Sequence, residues 1–211
     1  LLENFVFRKT TPIIISQGVP IEKTEWEFEI EVLPTATPEE EEKLSDVAVS
    51  NAQAMRKKLK ETITLWGQQY DRNYPSPGAS ADAATDEMND ARIKLIRAGN
   101  IVTGIINRRL TLNHPGEIYV IVKLRGRIIA IVLANRINNL DEVELVASAT
   151  LPDYVLFPGR EGTVRGAGTA AVRELSRYLQ QQGARTLYSE VISQPSARVK
   201  QKVGFNFKNE F

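Results

Sequence analysis

Six consecutive residues, Arg165-Gly166-Ala167-Gly168-Thr169-Ala170, carry the clearest chemical signal in the chain. Two glycines allow a tight turn and let a ligand approach the backbone amides. The apolar pattern that follows, from Thr169 to Gln182 with Gly183 as its stop, predicts a helix. The unpaired N–H groups of a helix's first turn, with its dipole, make an anion site. A favourable charge at such an end is worth about 0.3–1 kcal/mol. Several amides converging on a pyrophosphate add charge-assisted hydrogen bonds. A phosphate-bearing ligand is the natural occupant; the plain alternative is a glycine-rich turn that holds nothing.

Two nucleotide motifs compete for this segment. A P-loop needs Lys and Ser/Thr after its last glycine, whereas Gly168 is followed by Thr169-Ala170. The dinucleotide fingerprint fits better, as Gly166-x-Gly168-x-x-Ala171 with Glu190 downstream. Against it, the strand-like residues Val155 to Phe157 end too early for a strand-to-glycine turn, and too little chain follows Glu190 to complete a dinucleotide sheet. Other chemistries are narrowed by what the sequence lacks. There is no cysteine, so disulfides, thiolate nucleophiles and Cys-bound zinc are excluded. His114 is the only histidine, and its His-Pro-Gly context reads as a turn. Glu142 and Glu144 share one face of a strand by period two.

The elements that must position these residues follow from periodicity. Glu25 to Val32 alternates, with Trp26, Phe28, Ile30 and Val32 opposite four glutamates, and predicts an edge strand. Thr37-Pro38-Glu39-Glu40 is a helix start, and a stripe through Leu44, Val47, Met55, Leu59, Ile63, Trp66 and Tyr70 continues it. The basic run Arg56 to Lys60 on that helix reads as a solvated face. Residues 75–80 read as a loop, and a second helix spans about Asp86 to Leu110, with an interruption expected near Gly99-Asn100. Ile118 to Lys123 and Ile128 to Leu133 form a hairpin about Arg125-Gly126. Glu142 to Ala149 and Leu187 to Ile192 are further strands, Pro195 to Lys202 a short helix, and Gly204 to Phe207 a last strand. Residues 1–23 read as short strands or a clasp. The order implies an α/β (α+β mixed) fold, not a doubly wound parallel sheet.

Two C-terminal segments resemble the GNAT superfamily of acetyl-CoA-dependent N-acetyltransferases. The family's pyrophosphate signature, Arg/Gln-x-x-Gly-x-Gly/Ala, is matched by Arg165, Gly168 and Ala170. Its Asn-x-x-Ala … Tyr-x-Lys-x-Gly-Phe signature reads here Gln194-Pro195-Ser196-Ala197 and Lys200-Gln201-Lys202-Val203-Gly204-Phe205, with Gln for Asn and Lys200 for Tyr. The Thr37-Pro38-Glu39-Glu40 start and Leu151-Pro152-Asp153-Tyr154 also resemble the family, except that Val155 to Val164 stand as a ten-residue insertion before the glycine loop. The resemblance covers roughly Glu25 to Phe211 and implies a mostly antiparallel GNAT-like sheet flanked by helices. Residues 1–23 are then an N-terminal extension and 24–211 the acetyltransferase domain.

The resemblance also implies a mechanism. Acetyl-CoA lies between the splayed strands Glu142–Ala149 and Leu187–Ile192. Its pyrophosphate rests on Arg165, Gly166, Ala167, Gly168, Thr169 and Ala170. Its pantetheine meets the backbone near Ala149 and Thr150, and its thiol end is bordered by Gln194 and Ser196. A lysine amine, with a pKa of about 10.4, is neutral about once in 2,500 at pH 7, a handicap of roughly 4–5 kcal/mol. A base is therefore expected. Family bases sit on this strand, so Glu144, with Glu142 beside it, takes that role. Lys200 stands where the family's tyrosine acid would be; Tyr154 and Tyr188 are substitutes. Phe157 and Arg160 of the insertion are the expected substrate contacts.

The acceptor is then a primary amine on a protein or a small molecule. The rivals are a catalytically silent CoA-binding or protein-interaction module and a nucleotide-binding regulatory domain. The composition, 42% hydrophobic and 25% charged, fits a globular chain with a real core. A net charge of +1 gives no footprint for nucleic acid. The apolar runs fall short of the roughly 20 residues of a membrane helix. A homodimer is compatible with this composition, and the cytoplasm is the expected compartment. The start at Leu1-Leu2 reads as a fragment or a processed form.

Overall fold

The computed structural model describes residues 11–76, 78, 82–137, 141–189, 201 and 204–205. Its centre is a five-stranded sheet, and the hairpin at its middle explains why. Strands β4 (Glu117–Leu124) and β5 (Arg127–Ile137) are apolar almost throughout and pair antiparallel, with one register shift between Val122 and Lys123 that leaves Ile129 as an extra residue. Continuous apolar runs suit strands covered on both faces. Arg125 and Gly126 join them with φ of 50° and 80°, the two left-handed residues that a type I′ turn requires. Strand β3 (Glu29–Pro34) adds antiparallel to β4, and β6 (Glu142–Thr150) adds antiparallel to β5. Strand β8 (Thr186–Ser189) closes the order β3-β4-β5-β6-β8 by pairing parallel with β6. The architecture is mixed α/β with a mostly antiparallel sheet flanked by helices, as the resemblance implies.

Helices α2 (Asp46–Arg72) and α3 (Ala83–Leu112) cover one face. They bury Leu59, Ile63, Trp66, Ile106 and Leu110 against Tyr119, Ile121, Ile131 and Leu133 of the sheet. Helix α5 (Ala167–Gln181) covers the other face, with Ala171, Val172, Leu175 and Leu179 against Val120, Val122, Val132 and Val143. Fully burying one such aliphatic side chain contributes about 1.5–3 kcal/mol, so these two layers dominate the fold.

Several sequence expectations are corrected. The first-strand ladder runs 29–34, not 25–32. A turn returns the Trp26 N–H to the Lys23 carbonyl at 3.1 Å, and the Trp26 ring lies under the Arg125 guanidinium at 4.7 Å. The alternation itself holds: Trp26, Phe28, Ile30 and Val32 pack on the α5 side. The helix expected to run unbroken from Thr37 is two. Helix α1 (Pro38–Glu41), capped by the Thr37 hydroxyl, ends in short bonds from Lys43 and Leu44 to Glu40 and Glu41. Ser45 then caps α2 through Ala48 N–H at 3.1 Å. Leu44 and Val47 therefore leave the stripe and are exposed. Helix α3 passes through Gly99-Asn100 unbroken. Gly99 is a packing residue, because a Cβ there would overlap the ring of Tyr70. Val155 to Leu156, read as strand-like, lie in helix α4 (Pro152–Leu156).

The first described residues and the insertion form one unit. Strands β1 (Ile13–Ser16) and β2 (Val19–Glu22) make a hairpin. Strand β7 (Val164–Arg165) pairs antiparallel with the other edge of β1. Bonds from Ile15 N–H to Thr163 O (3.0 Å) and from Gly162 N–H to Ile15 O (2.8 Å) extend that seam.

Candidate active site

Gly166 sits between β7 and α5 at φ 96°, a left-handed conformation that caps the helix without any side-chain cap bond. The first intrahelical bond runs from Ala170 N–H to Gly166 O at 2.9 Å. Helix geometry leaves the preceding amides, on Ala167, Gly168 and Thr169, without an intrahelical acceptor. Ala167, Thr169 and Ala170 are buried residues. Arg165 turns its guanidinium back to the Pro158 carbonyl, 3.3 Å away. The strand that precedes the glycines is β7, which belongs to the small sheet and not to the central one. A dinucleotide βαβ unit is thus absent at this position.

Strand β6 supplies the second part of the site. Its register against β5 passes from Ala134↔Leu145 to Leu133↔Ala147, so Val146 is an extra residue, a bulge. One inserted residue bends a strand and reverses its alternation. Val143 and Leu145 accordingly face α5, whereas Ala147 and Ala149 face α2 and α3. Pairing with β8 is described only over Glu142–Leu145, up to the bulge. The Leu151 N–H bonds to the Ile129 carbonyl at 2.9 Å. By alternation, the Ala149 backbone groups also address β5, and those of Ser148 and Thr150 address the opposite edge, the β8 side.

The same register aligns a row of polar side chains across the sheet. Glu117, Asn135, Glu144 and Tyr188 are successive cross-strand partners on β4, β5, β6 and β8. Their neighbours in each strand fix them all on the α2/α3 face. Neighbouring strands stand about 4.8 Å apart, so this is one continuous band. Glu117 is buried and held by Arg109 of α3 at 2.9 Å and by the Tyr119 hydroxyl at 3.2 Å. Burial, then the Glu117 charge, pushes the Tyr119 hydroxyl well above the usual tyrosine range. Arg56 of α2 lies 5.7 Å from the Tyr119 ring centroid and donates to Thr35, whose own N–H bonds the Glu117 carbonyl. Arg56 therefore faces inward, where the sequence reading placed it on a solvated face. Glu144 is half-buried, Glu142 is exposed, and no ion pair involves either among the described residues.

Tyr154, half-buried where α4 leaves β6, touches both cores, and burial raises its pKa. His114 lies in the exposed turn before β4. Phe157 and Arg160 lie against each other, the guanidinium 3.9 Å from the ring centroid. Gln194, Ser196 and Lys200 fall outside the described residues. The sequence reading missed Glu117, Asn135 and Arg109. Only Glu117 left a signal, as a lone carboxylate opening an apolar strand directly after the His-Pro-Gly turn. A groove of about 490 Å³ between β3 and α2, with Glu31, Leu33, Met55 and Lys58 among its walls, opens at the opposite edge of the sheet from β8. Among the described residues no group of acidic or histidine side chains could hold a metal ion, and no helix is long and apolar enough to cross a membrane.

No family model matches the chain, and no curated protein matches it. Among solved structures it is similar to the aminoglycoside N-acetyltransferase AAC(6')-Iy in complex with CoA, at 16% identity over 88% of this chain and 92% of that one, with a TM-score of 0.42. It is also similar to a predicted acetyltransferase from Clostridium acetobutylicum with acetyl-CoA, at 14% identity, 87% and 93% coverage and a TM-score of 0.43. A third is the PaiA N-acetyltransferase of Thermoplasma acidophilum in complex with coenzyme A, at 13% identity, 87% and 93% coverage and a TM-score of 0.43. Likeness at this level leaves the functional reading to the chain's own residues.

Proposed function

We propose that the chain is a GNAT-type N-acetyltransferase that moves an acetyl group from acetyl-CoA to a primary amine on a small molecule or a protein. The observation that carries this reading is the pairing of two backbone features. One is the uncapped amide turn of α5 at Gly166. The other is the edge of β6 beyond the Val146 bulge, where Ser148 and Thr150 turn their peptide groups away from β5. Helix α5 packs on the sheet that includes β6, which joins both features to one core. They suit a ligand that is anionic at one end and amide-bearing along its length.

In this reading the amides of Ala167, Gly168 and Thr169 hold the pyrophosphate. The peptide groups of Ser148 and Thr150 align the pantetheine. Bound acetyl-CoA supplies the activated thioester. Glu144 takes a proton from the acceptor ammonium, directly or through water, and leaves a neutral amine on the α2/α3 face. The nitrogen then bonds the acetyl carbon as the C–S bond breaks. One further proton leaves the nitrogen and one reaches the thiolate, so the products are an amide and free thiol. Tyr154, kept protonated by burial, is the candidate donor to the thiolate.

The replacements Gln194 and Lys200 in the second family signature favour a rival, a CoA-binding module without turnover. Calorimetry with CoA followed by turnover with mixed amines separates the two. Gly168→Glu sets a side chain and a like charge against the pyrophosphate. It should weaken CoA at least tenfold with thermal unfolding unchanged; unaltered affinity removes the loop from this role.

A further inference from the structure

Phe157, the residue that ends α4, carries two guanidiniums on one ring. Arg160 lies 3.9 Å and Arg92, from α3, 5.1 Å from its centroid. The ring is fixed from beneath by the cluster of Tyr70, Ile96 and Leu156. The loop above it is fixed by bonds from Arg160 N–H and Thr163 Oγ1 to the Phe157 carbonyl, at 3.1 and 3.0 Å. Stacking occupies the flat face of a guanidinium and leaves its N–H edges to bind elsewhere. The adjacent carboxylate, Glu161, accepts from the Gln17 N–H at 2.7 Å. Among the described residues no ion pair neutralises Arg92 or Arg160. Two guanidiniums on one ring, with no ion pair among the described residues, concentrate positive charge there, and their free N–H edges suit an oxyanion. The position suits an acceptor: α4 starts where β6 ends, so Phe157 lies within roughly 15 Å of Thr150 by chain length.

Resting on the acetyltransferase reading, we propose that Arg92 and Arg160, stacked on Phe157, bind a carboxylate or phosphate carried by the amine acceptor. The test is calorimetric titration of matched amines into the CoA-saturated protein: lysine against cadaverine, and phosphoethanolamine against ethanolamine. The anionic member of at least one pair should bind tenfold or more tightly than its partner. Which pair responds separates carboxylate from phosphate. In an Arg92→Gln/Arg160→Gln variant both members should bind alike while CoA affinity is retained. Equal binding within both pairs, or no binding by either anionic amine, overturns the proposal. So does a variant that loses affinity for CoA but not for dephospho-CoA, which would give the pair to the cofactor's 3′-phosphate. Failure of CoA itself to bind the wild-type protein would instead sink the acetyltransferase reading.

Discussion

Glu144 and Glu117 stand in the same row of the sheet with opposite fates. Glu117 is buried and locked to Arg109 and Tyr119, whereas Glu144 is half-buried with no ion pair among the described residues. Both Glu117 oxygens are occupied, one by Arg109 and one by the Tyr119 hydroxyl, so the base we propose is Glu144. Glu144→Gln should lower acetyl transfer by about 10²-fold at pH 7. The deficit should shrink as the pH approaches the acceptor amine's own pKa; a pH–rate profile parallel to the wild type would remove Glu144 from the role. Tyr70 gives a prediction about stability. Burial pushes its hydroxyl up to about 12. A folded-state pKa above the unfolded value near 10 means that the stabilisation is complete below pH 10 and is lost as the pH rises through about 12. Tyr70→Phe should remove about 2 kcal/mol of that alkaline loss, measured by urea unfolding at pH 9 and pH 11.5. Of the proposed site, the glycine loop and the paired glutamates were legible as candidates in the sequence because spacing alone defines them. The row from Glu117 to Tyr188 was not, because cross-strand register is a property of pairing and not of any one segment.

Elements were legible where one periodicity ruled a whole segment. The β4–β5 hairpin, β6 and α5 fell close to where the apolar pattern and Gly126 and Gly183 placed them. They failed where two signals overlapped. The acidic run after Thr37 and the stripe to Tyr70 read as one helix, but the Ser45 hydroxyl offered a second cap and the chain took it. Gly99 read as a breaker, yet α3 gains there the space that the Tyr70 ring fills. Gly99→Ala should therefore destabilise the protein by about 1–3 kcal/mol despite alanine's better helix propensity. The cost should largely vanish in a Tyr70→Leu background, as a double-mutant cycle would show. An equal cost in both backgrounds would place the effect elsewhere in α3. The Val146 bulge was likewise hidden, since Glu142 to Thr150 alternates plausibly on paper with or without it.

At the scale of the whole molecule, the hairpin β1–β2 and the end of the segment from Val155 to Val164 are parts of one small sheet. That sheet ends at Arg165, directly before the amide turn. Replacing residues 158–162 with a Gly-Ser link of equal length should leave the central sheet intact while the Ile15 amide loses protection from hydrogen exchange, because its acceptor is Thr163 O. Retained protection would mean that β1 is held by the core alone. The Ile13-Ile14-Ile15 strand also meets its second neighbour only after almost 150 further residues have been added. At a ribosomal rate of about 5–20 residues per second, that leaves one edge of a triple-isoleucine strand without its ladder for about 7–30 s. Nascent chains of this protein should for that interval be clients of holding chaperones, and the turn at Gly166 should take shape only after β7 has been made.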